Sequence, residues 1–306
     1  MRKNKSKKKR NLWIVIPLTI FAVLVFSIGA YVLSFYVKVK NTVDKEMHEP
    51  VESIDISKAK KKLEDLEPLN ILLLGVDARA GDKGRSDALM VLSLDPQNNR
   101  SQLISIPRDT RTTIVGKGKE DKINHAFAFG GADMSAATVK NLLDIDLDYY
   151  VQINMEGLKE LVDELGNITV QNEVEWSDSK YNFTKGSLAM DGDMTMAYVR
   201  MRKQDPEGDF GRTKRQRKVI EAIIDRGASV GNVPKINSTM EILGKNMATN
   251  MEFGDMKQIF SDYSGTRKNM DSYMMQGTGT KIDGVYYLEI PDEEIEKTHK
   301  MITEIK

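Results

Sequence analysis

The longest apolar stretch lies close to the start of the chain. Leu12 to Val37 reads LWIVIPLTIFAVLVFSIGAYVLSFYV, 26 residues without a charge. As a helix it would be roughly 39 Å long, enough to cross a hydrocarbon core about 30 Å thick with some tilt. Trp13 near one end and Tyr31, Phe35 and Tyr36 near the other suit the two membrane interfaces. A cleaved signal peptide would have a shorter apolar region followed by small residues, whereas Tyr31–Val37 is bulky. The segment is therefore expected to be an uncleaved transmembrane anchor over 12–37. Residues 1–11 form a short tail with seven basic groups and no acid. Such a flank is expected on the cytoplasmic side, leaving the rest extracellular.

Residues 38–67 are polar and charge-rich, with a helical stretch near Ser57–Leu66, and read as an extracellular stalk or, equally, a disordered linker. From residue 68 to 306 the pattern is that of a folded domain. Asn70–Asp77 (NILLLGVD), Ala88–Asp95 (ALMVLSLD) and Ser101–Asp109 (SQLISIPRD) are apolar runs of the kind found in strands buried on both faces. Asp133–Ile145 has apolar residues near helical spacing. Tyr149–Ile153 reads as a strand. Met155–Leu165 puts Met155, Leu158, Leu161, Val162 and Leu165 on one helical face, with Gly166 as its cap. Ile168–Glu175 alternates as a strand, and Thr213–Arg226 has a helical apolar stripe. Val285–Ile290 and Asp292–Ile305 predict a last strand and a terminal helix. Strands alternating with helices imply an α/β layered domain.

Composition narrows the chemistry. The chain has no Cys and only three scattered His, which excludes disulfides, thiolate nucleophiles and the common zinc spacings. Net charge is zero over 306 residues, but from Lys38 onward 38 basic groups face 45 acidic ones. A basic tail of about ten residues is too short to fold as a nucleic-acid-binding unit, so no nucleic-acid partner is expected.

Three segments concentrate Arg and Asp where strands or helices end. They are Gly75–Asp87 (GVDARAGDKGRSD, with Asp77, Arg79, Asp82, Arg85 and Asp87), Ile106–Arg111 (IPRDTR) and Tyr198–Arg217. Residues 200–218 hold eight basic and three acidic groups in a chain segment that is otherwise acidic. Arg offers a fixed fork of donors matched to phosphate oxygens and stays charged. Arg200 and Arg202 alternate, so on an extended segment they would point the same way. Arg212 is expected just before a helix start, where free N–H groups also favour an anion, with Gln216 one turn on. Asp77 and Asp87 are hard oxygen ligands of the kind Mg²⁺ uses beside a phosphate. Each cluster alone reads as a salt-bridged turn or a solvated basic face; their coincidence points to an extracellular phosphate-handling site.

At these residues the sequence resembles the LytR-CpsA-Psr family. The motifs ILLLGVDAR, GRSDALMVLSLDP, ISIPRDT, INHAFAFGG and YVRMRKQDPEGDFGRTKRQRKVI follow in the family's order between about Asn70 and Ala228. The resemblance implies a layered αβα sandwich with a central mixed sheet, preceded by one N-terminal transmembrane helix. It implies a phosphotransferase that moves an anionic glycopolymer such as wall teichoic acid from a polyprenyl-pyrophosphate carrier to the C6 hydroxyl of peptidoglycan N-acetylmuramic acid. It also implies an apolar tunnel for the prenyl chain between sheet and helices. Carried over by motif, Asp77 and Asp87 are the metal-associated carboxylates, with Mg²⁺ expected and Mn²⁺ as rival. Arg85, Arg108, Arg200, Arg202 and Arg212 are the pyrophosphate-binding arginines, and Gln216 is a polar contact nearby. Asp87, Arg85, Arg108 and Arg212 are the expected catalytic set, Asp87 being the first candidate for general base and the metal or a substrate phosphate its rivals. Arg79, Asp109 and Arg111 are secondary candidates.

The membrane, the lipid-linked polymer and peptidoglycan are thus the expected partners. Two other readings share the same residues: a membrane-tethered regulator or polymer-binding module without catalysis, and a pyrophosphatase with water as acceptor.

Overall fold

The computed structural model describes residues 12–77, 84–227 and 235–305. The chain divides into two units, 1–41 and 42–306. The first is one continuous helix, α1 (Leu12–Asn41), which contains the expected anchor. Phe21, Phe26, Ile28 and Leu33 on it are exposed, so it is not a core helix. Among the described residues one helical segment, beginning at Val23, is long and apolar enough to cross a membrane. The tail and the side chain of Trp13 lie outside the described residues.

The second unit begins with a π-helical turn, Thr42–Met47, then α2 (Ile56–Glu64), β1 (Leu69–Asp77), β2 (Arg85–Asp95), β3 (Arg100–Ile106), and a hairpin of β4 (Arg111–Ile114) and β5 (Lys119–Lys122). Next come α3 (His125–Leu143), β6 (Tyr149–Asn154), α4 (Met155–Leu165), β7 (Ile168–Asn172), β8 (Trp176–Ser177), β9 (Asn182–Phe183), β10 (Gly186–Met190), α5 (Gly192–Arg200) and α6 (Asp209–Gly227). The chain ends with α7 (Ile236–Asn246), β11 (Met247–Thr249), α8 (Phe253–Asp262), β12 (Met270–Met274), the hairpin β13 (Thr278–Ile282) and β14 (Val285–Glu289), and α9 (Asp292–Thr303).

The central sheet has six strands in the order β11-β6-β1-β2-β3-β12. It is mixed: β1 runs parallel to β6 but antiparallel to β2, and β3 runs parallel to β12. Strand alternation sorts the apolar side chains onto two faces. Leu72, Leu74, Val91 and Ile104 meet Phe127, Ala136, Val139 and Ile302 of α3 and α9. Ile71, Met90, Leu92 and Leu103 meet Ala59, Leu63 and Tyr263 on the other side. The result is the expected αβα sandwich. A second core, around Trp176, Phe183, Met190 and Tyr198, joins α4, α5 and α6 to the small hairpins; there the Trp176 and Phe183 rings stack 3.6 Å apart.

The expected stalk is not a stalk from Thr42 onward. Val43, Met47, Ile54, Ala59 and Leu63 are buried, and the turn at Thr42–Met47 packs on α7 and β11. Ser53 donates its backbone N–H to Asp133 at 2.8 Å, and Tyr150 donates its hydroxyl to the Glu49 carbonyl at 2.8 Å. One apolar side chain every few residues, hidden among Lys and Glu, is enough to dock the segment.

Candidate active site

β1 and β3 end, and β2 begins, at one edge of the sheet. That brings Asp77, Asp87 and Arg108 to the same rim from three segments. The β1–β2 register skips one residue there: Gly75 faces Ala88, but Val76 faces Ser86. Asp87 is the extra residue of this bulge, a device that bends a strand and re-aims a side chain. Its Oδ1 accepts Nη1 of Arg108 at 2.7 Å. Pro107 follows the last residue of β3 and has no N–H for the ladder. The Arg108 loop is then fixed from both sides. Ile123 donates to the Thr110 carbonyl at 2.8 Å, and Leu288 donates to the Asp109 carbonyl at 2.8 Å.

The third basic segment arrives on α6, and its geometry differs from expectation in two ways. Arg200 is the last residue of α5, which Asp191 caps by accepting from the Met194 N–H at 2.8 Å. Arg200 and Arg202 therefore do not alternate on an extended strand. Arg212 lies inside the first turn of α6, because that helix starts at Asp209. The Arg212 Nη2 sits 2.9 and 3.1 Å from the two oxygens of Asp209. Asp209 also lies 3.5 Å from Nε of Arg108. It bridges the two arginines, a role that spacing alone does not reveal.

Arg108 and Arg212 are largely buried, with side chains 18% and 9% exposed. Burial works against the charge of Arg108, but the Asp87 hydrogen bond and the fields of Asp209, Asp87 and Asp109 outweigh it and hold its proton more tightly than usual. At Arg212 burial wins: Asp209 offsets it only in part, and Arg108 and Arg202 add repulsion, so the affinity for the proton drops below the ordinary arginine value. The Nε groups of both arginines are buried without a hydrogen-bond partner among the described residues. Buried donors are rarely left so, and two of them side by side suit an anion with several oxygens.

Arg85, Arg200 and Arg202 are exposed and make no ion pair among the described residues. Arg202 is close enough to bear on Arg212, whereas Arg85 faces Asp77 across β1 and β2. Asp109 takes Nζ of Lys122 at 2.6 Å, and Arg111 pairs with Glu120 and with Glu289. These two arms serve the loop more than the anion site. Arg79 and Asp82 lie outside the described residues.

Gln216, one turn beyond Arg212, leads to a cavity of about 250 Å³ between the sheet and α4, α6 and α7. Leu73, Met90, Val151, Leu161, Ile220 and Ile223 are among its walls. Behind the cluster Arg215 is 4% exposed and holds the α5–α6 connection together. Its Nε donates to the Tyr198 carbonyl at 2.9 Å, and its two Nη groups reach Asp205 and the Met201 carbonyl. Gly211 is required here, since a Cβ would lie 1.9 Å from Oδ2 of Asp205. Asp77 and Asp87 are the oxygen donors at the rim that could hold a divalent ion. Among the described residues no three acids or histidines cluster as a complete metal cage. Two carboxylates completed by phosphate oxygens and water are what Mg²⁺ accepts.

The model of the LytR_cpsA_psr family matches residues 31–304. A Bacillus subtilis protein named polyisoprenyl-teichoic acid–peptidoglycan teichoic acid transferase TagU is 43% identical over 99% of both chains. The crystal structure of B. subtilis TagV has a TM-score of 0.69 at 37% identity, covering 78% of this chain and 97% of that one. A structure of TagT bound to LIIa-WTA has a TM-score of 0.67 at 28% identity, covering 85% and 96%. With its sheet, its arginine cluster and a match over nearly its whole length, the chain belongs to the LytR_cpsA_psr family.

Proposed function

We propose that the protein is a membrane-anchored transferase that moves a teichoic-acid-type glycopolymer from a polyprenyl-pyrophosphate carrier to peptidoglycan. The acceptor atom is the C6 hydroxyl of N-acetylmuramic acid, the product a phosphodiester, and polyprenyl phosphate leaves. The observation that carries this reading is a juxtaposition. Two buried guanidinium groups whose Nε donors make no hydrogen bond meet at the first turn of α6, and Gln216, one turn on, opens into an apolar cavity able to take an isoprenoid chain. The names of the relatives support the same substrates. In this reading the basic tail is cytoplasmic, α1 spans the membrane and the domain lies outside. Confinement to the surface raises the effective concentration of a lipid-borne substrate.

Arg108 and Arg212 donate to the pyrophosphate, and Arg85, Arg200 and Arg202 close over it from the solvent side. Gln216 marks the passage from phosphate to lipid. The bond to be broken is already energised, so the protein supplies position and charge stabilisation. A bound Mg²⁺, with Mn²⁺ as the alternative, would be held by Asp77 and Asp87 and would neutralise charge on phosphate oxygens. Asp87 is the candidate base for the attacking hydroxyl, held in place by Arg108.

The test is a transfer assay with the full-length protein, labelled lipid-linked polymer and peptidoglycan. Polymer should move to the wall material with release of polyprenyl phosphate, and chelation of divalent ions should stop it. Hydrolysis at the same rate without peptidoglycan would favour the pyrophosphatase reading. Intact donor after long incubation would favour a binding module.

A further inference from the structure

On the side of the arginine cluster away from the apolar cavity lies a shallow crevice that the reading above leaves unused. Pro107, Asp109, Asp209, Phe210, Thr213 and Tyr286 are among its walls. Tyr286 comes from the β13–β14 hairpin. Its ring packs over Gly279, where an added Cβ would lie 2.9 Å from the ring edge and from the hydroxyl oxygen. It is nonetheless 42% exposed. The hairpin is fixed to the Arg108 loop by the Leu288 N–H bond to Asp109, so the ring is carried by the same loop that carries the reaction centre. Lys122 Nζ is 6.0 Å from the Tyr286 ring centroid. The nearby carboxylates are already matched: Asp109 to Lys122 at 2.6 Å, Asp209 to Arg212 at 2.9 Å, and Glu289 to Arg111 at 3.5 Å.

We propose that this crevice seats a pyranose ring of the peptidoglycan glycan, with the part-exposed ring of Tyr286 as its platform. The proposal rests on the transferase reading for its orientation. Along α6, Asp209, Phe210 and Thr213 face the crevice while Gln216, Val219, Ile220 and Ile223 face the lipid cavity, with Arg212 between. From Phe210 to Gln216 the helix advances roughly 9 Å. Phosphoryl transfer places the attacking and leaving oxygens roughly in line. If the prenyl phosphate leaves toward the cavity, the hydroxyl enters from the crevice. The chemistry of the walls suits an uncharged polyhydroxyl ring rather than the anionic polymer. Paired charges offer donors and acceptors without net attraction for an anion, and an aromatic face receives the apolar C–H face of a sugar. A cavity of only about 10 Å³ cannot enclose a ring, so contact is one-faced, which a platform provides.

The experiment measures binding of a short soluble peptidoglycan glycan fragment by calorimetry, and the acceptor dependence of transfer, for the full-length protein and two variants. Tyr286→Ala should weaken glycan binding and raise the acceptor KM about tenfold, on the scale of a lost aromatic contact, with kcat and donor affinity unchanged. Tyr286→Phe should behave as the wild type. A wild type that does not bind the fragment, a Tyr286→Ala variant that binds it equally well, or an equal loss of donor affinity would each overturn the proposal. Tyr286-dependent glycan binding without any transfer would leave the crevice standing and remove the transferase reading instead.

Discussion

Nη1 of Arg108 rests 2.7 Å from Oδ1 of Asp87, and that contact joins the end of β3 to the bulge in β2. The arginine therefore does two things: it keeps a buried Nε that makes no hydrogen bond, 3.5 Å from Asp209, and it fixes a carboxylate. Arg108→Ala should lower kcat by about 30- to 1000-fold, the scale of 2–4 kcal/mol for one lost charge-stabilising donor. Arg108→Lys should recover little, since an ammonium cannot hold Asp87 and donate from a second, separate nitrogen in a fixed fork. Steady-state transfer rates with saturating donor decide the point; equal rates for Arg108→Lys and wild type would remove the fork argument.

Arg215 stands three residues beyond Arg212 yet has an opposite role. It and Asp205 are 5% and 1% exposed at the side chain, and all three arms of the guanidinium are engaged. Removing one partner of such a pair leaves a buried charge alone. Arg215→Ala should cost about 3–5 kcal/mol of stability, seen in chemical denaturation. Replacing both residues by Leu should recover much of that loss. Donor affinity in the surviving folded fraction should also weaken, because the same connection carries Arg202.

Asp148 gives the domain a pH signature. It is buried just before β6, 2.9 Å from Nζ of Lys62 and accepting the Asn70 N–H at 2.8 Å. Burial outweighs those partners and raises its pKa above the ordinary carboxylate value. Between the unfolded and folded pKa the native state holds more protons, so this group's contribution to stability falls as pH rises through that interval and is flat above it. Wild-type stability measured relative to Asp148→Asn should therefore decline from about pH 4 upward and then level off. A difference that grows with pH would contradict the assignment.

The sheet strands and α4 were readable because each buries a set of side chains at its own period, and such patterns survive without knowledge of neighbours. The rim was readable as residue types, not as geometry. Arg200 falls on a helix because Asp191 caps it, a signal present in the DGDM motif but weaker than the alternating arginines beside it. The start of α6 at Asp209 likewise moves Arg212 from the approach of the helix into its first turn. Asp209, Lys122 and Tyr286 act across long sequence separations, which no local pattern encodes. Segment 42–67 is concealed by its charge, since only a minority of its side chains are buried.

The apolar cavity behind Gln216 yields a prediction independent of the arginines. Its walls are aliphatic and sulfur-bearing, and nothing in its lining except Gln216 offers a polar side chain. An isoprenoid tail seated there would gain about 0.8 kcal/mol for each CH₂ buried. Ile223→Trp extends an indole into the space from α6. Displacing even two CH₂ groups of the tail would weaken donor binding by about 1.6 kcal/mol, roughly 15-fold. Stability should hold or rise, because the new ring fills volume that no protein atom occupies. The discriminating measurement compares pyrophosphate donors with long and short prenyl chains. Ile223→Trp should weaken the long-chain donor and spare one too short to reach α6, whereas equal weakening of both would mean that the cavity does not receive the lipid.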